Sequence, residues 1–416
     1  MKISRLAGVA ALLAAGVAQA QDIKVNALVE LWYTQMMDSN LRLDSAAKPG
    51  GASAYYDGLS SGRFAENGVT VKRSEVYLSQ TISDSISWNL MFDPNNSTST
   101  VGNNVLHDAV ITWDLGKGFG VKAGQFKMPT TYEATIVAAK DLYFFDRNQL
   151  NRVLGDKRDR GIWGYYAFGD PKGYQGKLSV AVSNGTTDDG SGGKTAVDGN
   201  ASKDWTIRYE GALGASQKWG VYYREGQSNL KDSTLQTITA APAGVTLAQM
   251  KDNRDKTTLN GAFYVYDTAK WHFDAEYATG LLGRRFPSLF AAAGTTAMSR
   301  EHLDQKYTGY AATVVYKMGK HQVALRYDMM NYNSGDNWYG TTNPYKVTVN
   351  SAPADYSPKY TETTIGYNYV FVPAKYGAAK LKIDYIMRSK NFLAPRSTQV
   401  GEQGGDSVVA SLGIGF

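Results

Sequence analysis

Basic residues are concentrated in one stretch of the chain that also carries many apolar residues. This stretch runs from residue 127 to residue 160, and its main cations are Lys127, Arg147, Arg152, Arg158 and Arg160. Guanidinium groups bind phosphate with paired hydrogen bonds, and clusters of arginine and lysine are typical of anion pores. We therefore expect the stretch to fold into a channel, to narrow it and to favour anions. A solvated loop is the alternative, because charged runs are also common on exposed connections.

The residue types that most enzymes need are absent or scattered. The chain of 416 residues has no cysteine, and its histidines, His107, His272, His302 and His321, stand singly. Metal sites need several such ligands at defined spacings, so we expect no metal ion and no cofactor. Serines are plentiful, but no nucleophile motif singles one out. The sequence therefore does not predict an enzyme.

The elements that must position the cations are β-strands, because apolar and polar residues alternate along the chain. Ile383 and Tyr385, for example, alternate with Lys382 and Asp384, and residues 321–332 follow the same pattern. Alternation places one set of side chains on each face of a strand. Cations on the polar face are assigned to the wall of a pore, and they are Arg208, Arg224, Lys317, Arg326, Lys380, Lys382 and Arg388.

The pattern predicts about 16 strands. They span residues 23–36, 69–82, 85–93, 105–115, 119–126, 160–169, 176–184, 204–212, 218–226, 256–266, 270–280, 304–318, 321–332, 359–371, 379–389 and 406–416. Long connections follow the odd-numbered strands and short turns follow the even-numbered ones, as in outer-membrane barrels. We therefore predict an all-β protein, a transmembrane antiparallel β-barrel whose third long loop folds inward.

A barrel of this size is expected to enclose water. Eight strands are filled by their own side chains, whereas sixteen leave an aqueous channel. A face rich in charges cannot sit in a dry core, and the opposite face, rich in aliphatic and aromatic residues, suits the lipid of the bacterial outer membrane. We expect a channel through which small hydrophilic solutes, and anions in particular, diffuse passively. An outer-membrane barrel enzyme and a structural barrel without a conducting pore are the alternatives.

Residues 1–20 are predicted to be a secretory signal peptide, with Lys2 and Arg5 before an apolar centre and a small-x-small cleavage site. Residues 21–416 then form a single outer-membrane β-barrel domain. The formal net charge of +6 includes Lys2 and Arg5, so the remaining excess is small and does not indicate nucleic-acid binding. The aromatic Phe416 at the end of the last strand predicts recognition by the barrel assembly machinery.

Four stretches of the chain form a characteristic set. They are Gly124-Gln125-Phe126-Lys127-Met128-Pro129, Glu133, Tyr143-Phe144-Phe145-Asp146-Arg147 and Arg158-Asp159-Arg160-Gly161-Ile162. Together they resemble the phosphate-selective porin O and P family. The resemblance implies a sixteen-stranded homotrimeric outer-membrane porin with an inward-folded third loop and arginine-rich walls that guide anions. By position, Lys127, Arg147 and Arg158 or Arg160 match the pore lining of the family. A general porin, or one for another small anion, stays open because the wall carries acids in numbers similar to its bases.

Overall fold

A computed structural model of the chain describes residues 23–37, 68–94, 105–155, 157–185, 202–227, 256–282, 305–332, 334–335, 348–349, 352–353, 359–373, 378–389 and 406–415. The predicted signal peptide, residues 1–20, and the terminal Phe416 lie outside the described residues. Within the described ranges, no helix is both long enough and apolar enough to cross a membrane.

Sixteen long antiparallel strands, numbered β1 to β16 in chain order, close into a barrel in the described part of the chain. They are β1 (Lys24–Met36), β2 (Gly68–Thr81), β3 (Ile86–Phe92), β4 (Leu106–Gly116), β5 (Phe119–Lys127), β6 (Arg158–Gly169), β7 (Tyr174–Ser183), β8 (Asp204–Leu213), β9 (Gln217–Gln227), β10 (Lys256–Asp267), β11 (Trp271–Leu282), β12 (Gln305–Met318), β13 (His321–Asn331), β14 (Lys359–Pro373), β15 (Ala378–Arg388) and β16 (Ser407–Gly415). Each strand pairs with its neighbours in the chain, and β1 pairs with β16 to close the ring. A separate two-stranded ladder joins Thr348–Val349 to Ala352–Pro353.

The predicted fold class is confirmed, and no predicted strand bound differs from the structure by more than two residues. The accuracy has a physical cause. Each strand of such a barrel has one face toward lipid and one toward a polar interior, so every second side chain must be apolar and the pattern marks the strand along most of its length.

The outer face of the wall is apolar and the inner face is polar. On β15, Ile383 and Tyr385 are exposed, whereas Lys382 and Asp384 beside them are buried. Outward side chains of such a barrel meet lipid, and inward ones meet the lumen. The seven cations that the sequence assigns to a pore wall all lie on the inner face, because each is buried or half-buried on the strand face opposite to the exposed apolar residues.

Short turns join the strands at one rim of the barrel. Lys117 and Gly118, between β4 and β5, have φ values of 52° and 84°, as expected for a tight hairpin turn. This rim is the periplasmic one, because outer-membrane barrels have their short turns in the periplasm. Most of the longer connections at the other rim lie outside the described residues. The third one is described except for residue 156, and its residues 128–155 are called the luminal segment below.

Candidate pore constriction

The motif at residues 124–129 leads from β5 into the luminal segment. Gly124 has a φ of 131°, and a Cβ at this position would lie 2.0 Å from the carbonyl oxygen of Ala109 on β4. Only glycine therefore fits here without strain. Three residues on, Lys127 Nζ donates a hydrogen bond to the carbonyl oxygen of Ala134 at 3.0 Å. This bond joins the end of β5 to the first helical turn of the segment.

Three short helical turns shape the luminal segment. They are α1 (Tyr132–Thr135), a 3₁₀ turn (Ala139–Asp141) and a π-helical turn (Asn151–Gly155). The Oδ1 atom of Asn151 accepts a hydrogen bond from the backbone N–H of Ala134 at 2.8 Å, which ties the last turn to the first. Five large apolar residues of the segment are almost fully buried, namely Met128, Leu142, Phe144, Phe145 and Leu150.

Aromatic side chains of the segment pack on the inner face of the wall. Phe144 lies against Val315 on β12, and its ring centre is 4.5 Å from the guanidinium carbon of Arg326. The ring of Phe145 meets Trp32 of β1 edge to face, with centroids 4.8 Å apart. Aromatic pairs in this geometry stabilise beyond the area they bury. The apolar composition of the segment, unusual for an exposed loop, is explained by these contacts.

Carboxylates of the wall accept hydrogen bonds from backbone N–H groups of the segment. Asp384 on β15 accepts from Phe145 at 2.6 Å. Glu276 on β11 accepts from Tyr132 at 2.9 Å. Buried backbone donors need such partners, and ionised acceptors make the stronger hydrogen bonds. The acids of the wall therefore help to hold the segment in place.

Cations of the wall donate hydrogen bonds to carbonyl oxygens of the segment. The four contacts are Arg208 to Thr130 at 2.7 Å, Arg326 to Asp146 at 2.9 Å, Lys382 to Phe144 at 3.1 Å and Lys380 to Leu142 at 3.3 Å. Arg208 is on β8 and Lys382 on β15, which are far apart around the ring. Contacts with both sides place the segment across the lumen, as expected for an inward-folded third loop.

The structure brings Arg147 and Arg152 to the lumen with the segment. Arg147 is buried, and its Nε donates to the carbonyl oxygen of Glu133 at 3.1 Å, so it also supports the shape of the segment. Arg152 donates to Gln149 and lies 3.7 Å from a carboxylate oxygen of Glu362. Its Nε and Nη1 have no hydrogen-bond partner among the described residues. Two donor atoms of Arg152 therefore have no acceptor among the described residues.

Arg158 and Arg160 do not join that group. Arg158 is buried, and its Nε lies 2.7 Å from Asp108 on β4, so a carboxylate matches its charge. Arg160 is exposed and shares a strand face with Ile162, whose side chain is 59% exposed on the outer wall. The Nε of Arg160 donates to Gln125 at 3.2 Å. The charged run that is continuous in sequence is thus divided between the two faces of the barrel.

Most wall cations are paired with acids. Arg224 is bonded to Asp204, and Lys317 to Asp267. Lys382 lies 2.8 Å from Glu30, which is also bonded to Arg73 on β2. Charges buried in this way need partners, because an isolated ion loses its hydration. The inner wall is therefore a network of matched charges, with a few cations left over.

The sequence prediction omitted three groups of this network. Glu362, at the centre of three arginines, and the pair of Arg73 with Glu30 are all buried on the inner face. Alternation was the available signal, since Glu362 shares its strand face with the polar Thr364 and Asn368. A rule based on cations alone missed the acids that position those cations.

Within the luminal segment, Glu133 is a buried carboxyl group. Burial raises its pKa to about 7, Arg326 lowers it by less, and Asp274 adds to the rise. The carboxylate accepts a hydrogen bond from the backbone N–H of Asn148 at 2.7 Å. The protonation of Glu133 is therefore coupled to the folding of the segment.

Metal-binding geometry does not occur in the described part of the chain. No three His, Asp or Glu side chains come together there in a way that could hold a metal ion. His272 lies between two carboxylates, at 3.1 Å from Asp267 and 2.9 Å from Asp274, and both are hydrogen-bond partners of its ring nitrogens.

A closed sixteen-stranded barrel with an apolar outer face, a charged interior and a segment folded across its lumen defines an outer-membrane channel of the porin class. The family model "Phosphate-selective porin O and P" matches residues 53–392, and the chain belongs to this family. The predicted localisation in the bacterial outer membrane is confirmed with it. Family and fold point to a channel rather than an enzyme.

Solved structures support the fold at low sequence identity. The outer membrane channel DcaP of Acinetobacter baumannii is similar with a TM-score of 0.55 and 12% identity, over 96% of this chain and 98% of that one. OmpT of Vibrio cholerae, in its trimer form, gives a TM-score of 0.51 and 12% identity, over 96% and 100%. OmpF of Salmonella typhi, in complex with daunomycin, gives 0.50 and 11%, over 96% and 100%. No match was found among the curated proteins.

Proposed function

We propose that the channel is water-filled, that small hydrophilic solutes diffuse through it passively, and that it prefers anions such as phosphate. The inner wall supports the first two statements, because its many charged side chains need an aqueous lumen to be tolerated. The family to which the chain belongs supports the preference. Lys127, Arg147 and Arg152 are the proposed cations of the constriction itself.

Two cations, Lys380 beside the luminal segment and Arg152 within it, carry the argument for anions. The ammonium of Lys380 donates to the carbonyl of Leu142 and has no carboxylate within 4 Å among the described residues. Arg152 shares Glu362 with Arg326 and Arg388, and Arg326 also lies 3.2 Å from Asp328, so three guanidinium groups face two carboxylates. Carbonyl oxygens do not neutralise a cation. The narrow part of the lumen therefore keeps a positive field, which attracts anions and repels cations.

The channel is also proposed to work as a homotrimer in outer-membrane lipid, after insertion by the barrel assembly machinery. OmpT of Vibrio cholerae, of similar fold, was solved in a trimer form. Both lipid and neighbouring subunits suit an outer wall that carries large exposed apolar residues around the ring.

Reversal potentials in a KCl gradient across a planar bilayer test the anion preference. The wild type is expected to be anion-selective, and the double variant Arg152→Gln with Lys380→Gln to lower the chloride-to-potassium permeability ratio about threefold. Lys117→Gln with Lys172→Gln, in exposed periplasmic turns, is the charge-matched control and should leave the ratio unchanged. Phosphate should inhibit the chloride current of the wild type more than that of the double variant. A cation-selective wild type, or an unchanged ratio in the double variant, would refute the proposal, and liposomes that do not swell would favour a structural barrel.

A further inference from the structure

Lysines and aromatic rings form a patch on the inner wall, between the luminal segment and the periplasmic rim. Lys122 Nζ lies 4.7 Å from the ring centre of Trp163, and Lys177 Nζ lies 5.6 Å from the same ring. Lys177 Nζ is also 5.2 Å from the ring centre of Tyr165. We call these four residues the lysine–aromatic patch. They occupy β5, β6 and β7 and alternate with exposed outward residues such as Ile162, so they face the lumen.

Positive charge at the lysine–aromatic patch is not matched by acids. Within the described residues, Lys122 has no carboxylate within 4 Å and no hydrogen-bond partner. Its ammonium group makes a cation–π contact with the Trp163 ring. The nearest acid to Lys177 is Glu210, at 3.9 Å. Glu210 is already bound by Arg208 at 2.8 Å. Glu210 thus lies within 4 Å of two cations while Lys122 has no carboxylate at that distance, and the patch is a place where the lumen can accept an anion.

The patch also offers flat apolar surface next to these charges. Gly120 on β5 lies under the ring of Tyr165, since a Cβ there would come within 2.3 Å of the ring, and the glycine lets this ring lie flat on the wall. Trp163 contributes its ring and a buried Nε1 donor that has no acceptor among the described residues. A cavity of about 290 Å³ opens beside Lys177, with Ile136 of the luminal segment and Phe263 of β10 in its lining. Lys177 is the one patch residue that lines this cavity. Ile136 is 39% exposed, which is unusual for an apolar side chain inside a charged lumen.

We propose that the lysine–aromatic patch and this cavity bind anions that carry a flat apolar body, that is, aromatic carboxylates. The carboxylate would accept hydrogen bonds from Lys122, Lys177 and the Trp163 Nε1. The ring would stack on Tyr165, and the cavity beside Lys177 would leave room for the apolar body of the anion. Phosphate or chloride would meet the same lysines but gain nothing from the rings, so the patch separates the two kinds of anion. The proposal rests on the channel proposed above.

Single-channel recordings in KCl with benzoate or acetate added on the periplasmic side test this subsite. Benzoate should interrupt the chloride current of the wild type at a concentration about tenfold lower than acetate. Tyr165→Leu and Lys122→Gln should each raise the half-inhibiting benzoate concentration about fivefold. For acetate, Tyr165→Leu should change nothing.

Tyr166→Leu is the matched control, because Tyr166 is the next residue of β6, faces outward and stacks on Phe119 of the outer wall. This substitution should leave the half-inhibiting benzoate concentration unchanged. Equal inhibition by benzoate and acetate in the wild type, or the same result for Tyr165→Leu as for Tyr166→Leu, would overturn the subsite. Conductance and reversal potential without benzoate report on the channel itself, so a failure of the subsite is distinguished from a failure of the proposed channel function.

Discussion

Glu362 lies within 4 Å of three guanidinium groups in the interior of the barrel. Arg326 lies 3.1 Å from its carboxylate, Arg388 3.4 Å and Arg152 3.7 Å. The carboxylate is fully buried, and Tyr360 donates to it at 2.9 Å. Removing the charge of such a group leaves buried cations without compensation, which is more costly than losing an exposed ion pair. Glu362 is therefore expected to matter more for stability than any exposed acid.

The substitution Glu362→Gln is predicted to lower the free energy of unfolding by about 3 kcal/mol. Urea titrations of the barrel in liposomes, with folded and unfolded forms separated by gel mobility, measure this quantity. Glu225→Gln is the control, because Glu225 forms an exposed pair with Lys256 at 2.9 Å and the same change there should have little effect. Equal midpoints for the two variants would contradict the role assigned to Glu362.

The buried carboxyl of Glu133 makes the attachment of the luminal segment depend on pH. Its pKa is about 7 in the folded protein and near 4.5 when the segment is detached. Stability from this group is complete below pH about 4.5 and is lost as the pH rises through 7, since the folded state must then bury a charge. We predict that the backbone amide of Asn148, which donates to Glu133, is protected from hydrogen exchange by at least about tenfold more at pH 5 than at pH 8, after correction for the intrinsic rate.

Glu133→Gln removes the titrating group and keeps an acceptor for Asn148. In this variant, the protection of the Asn148 amide from hydrogen exchange should no longer change between pH 5 and pH 8. The prediction fails if the wild type is equally protected at both pH values, or if it is better protected at pH 8.

At the level of single residues, the sequence identifies charges but not their partners. Arg158 and Arg160 are two positions apart, yet one meets Asp108 and the other lies on the outer face with Ile162. Strand alternation could have separated Arg160 from the lumen, because Ile162 marks the outward face of β6. The contact of Arg158 with Asp108 on β4, which is 50 residues away in the chain, has no signature in the local sequence.

The strands were predictable and the path of the luminal segment was not. A strand is predicted by the alternation of apolar and polar residues within it, so its bounds follow from the local sequence. The segment is held by groups distant in the chain, such as Asp384, which binds the N–H of Phe145 from 239 residues away. Its inward course was expected from composition and from the family resemblance, but the contacts that hold it require the closed barrel.

The junction between β5 and the luminal segment depends on one glycine. Gly124→Ala is predicted to lower the free energy of unfolding by about 3 kcal/mol, because φ is 131° and the new Cβ would clash with the carbonyl oxygen of Ala109. Gly164→Ala on β6 is the control, since nothing lies within 4 Å of a Cβ there, and it should stay within about 0.5 kcal/mol of the wild type. The fraction of heat-modifiable, folded protein after refolding into detergent gives a first readout. Equal yields and equal unfolding midpoints would show that the backbone at Gly124 tolerates a side chain.

The whole barrel is stable in a membrane only if charge stays inside and off the lipid face. Leu325, in the middle of β13, and Met318, at the periplasmic end of β12, point outward and are each 46% exposed. Arginine at the mid-depth of a barrel costs about 2–4 kcal/mol, whereas near the interface it costs at most about 1 kcal/mol. Leu325→Arg should therefore destabilise the barrel by several times as much as Met318→Arg, when both are unfolded with urea from the same liposomes. The two variants carry the same charge and replace side chains of equal exposure, so the difference isolates depth in the membrane. Equal losses in the free energy of unfolding would mean that Leu325 does not face the lipid core, and the assignment of inner and outer faces would then be wrong.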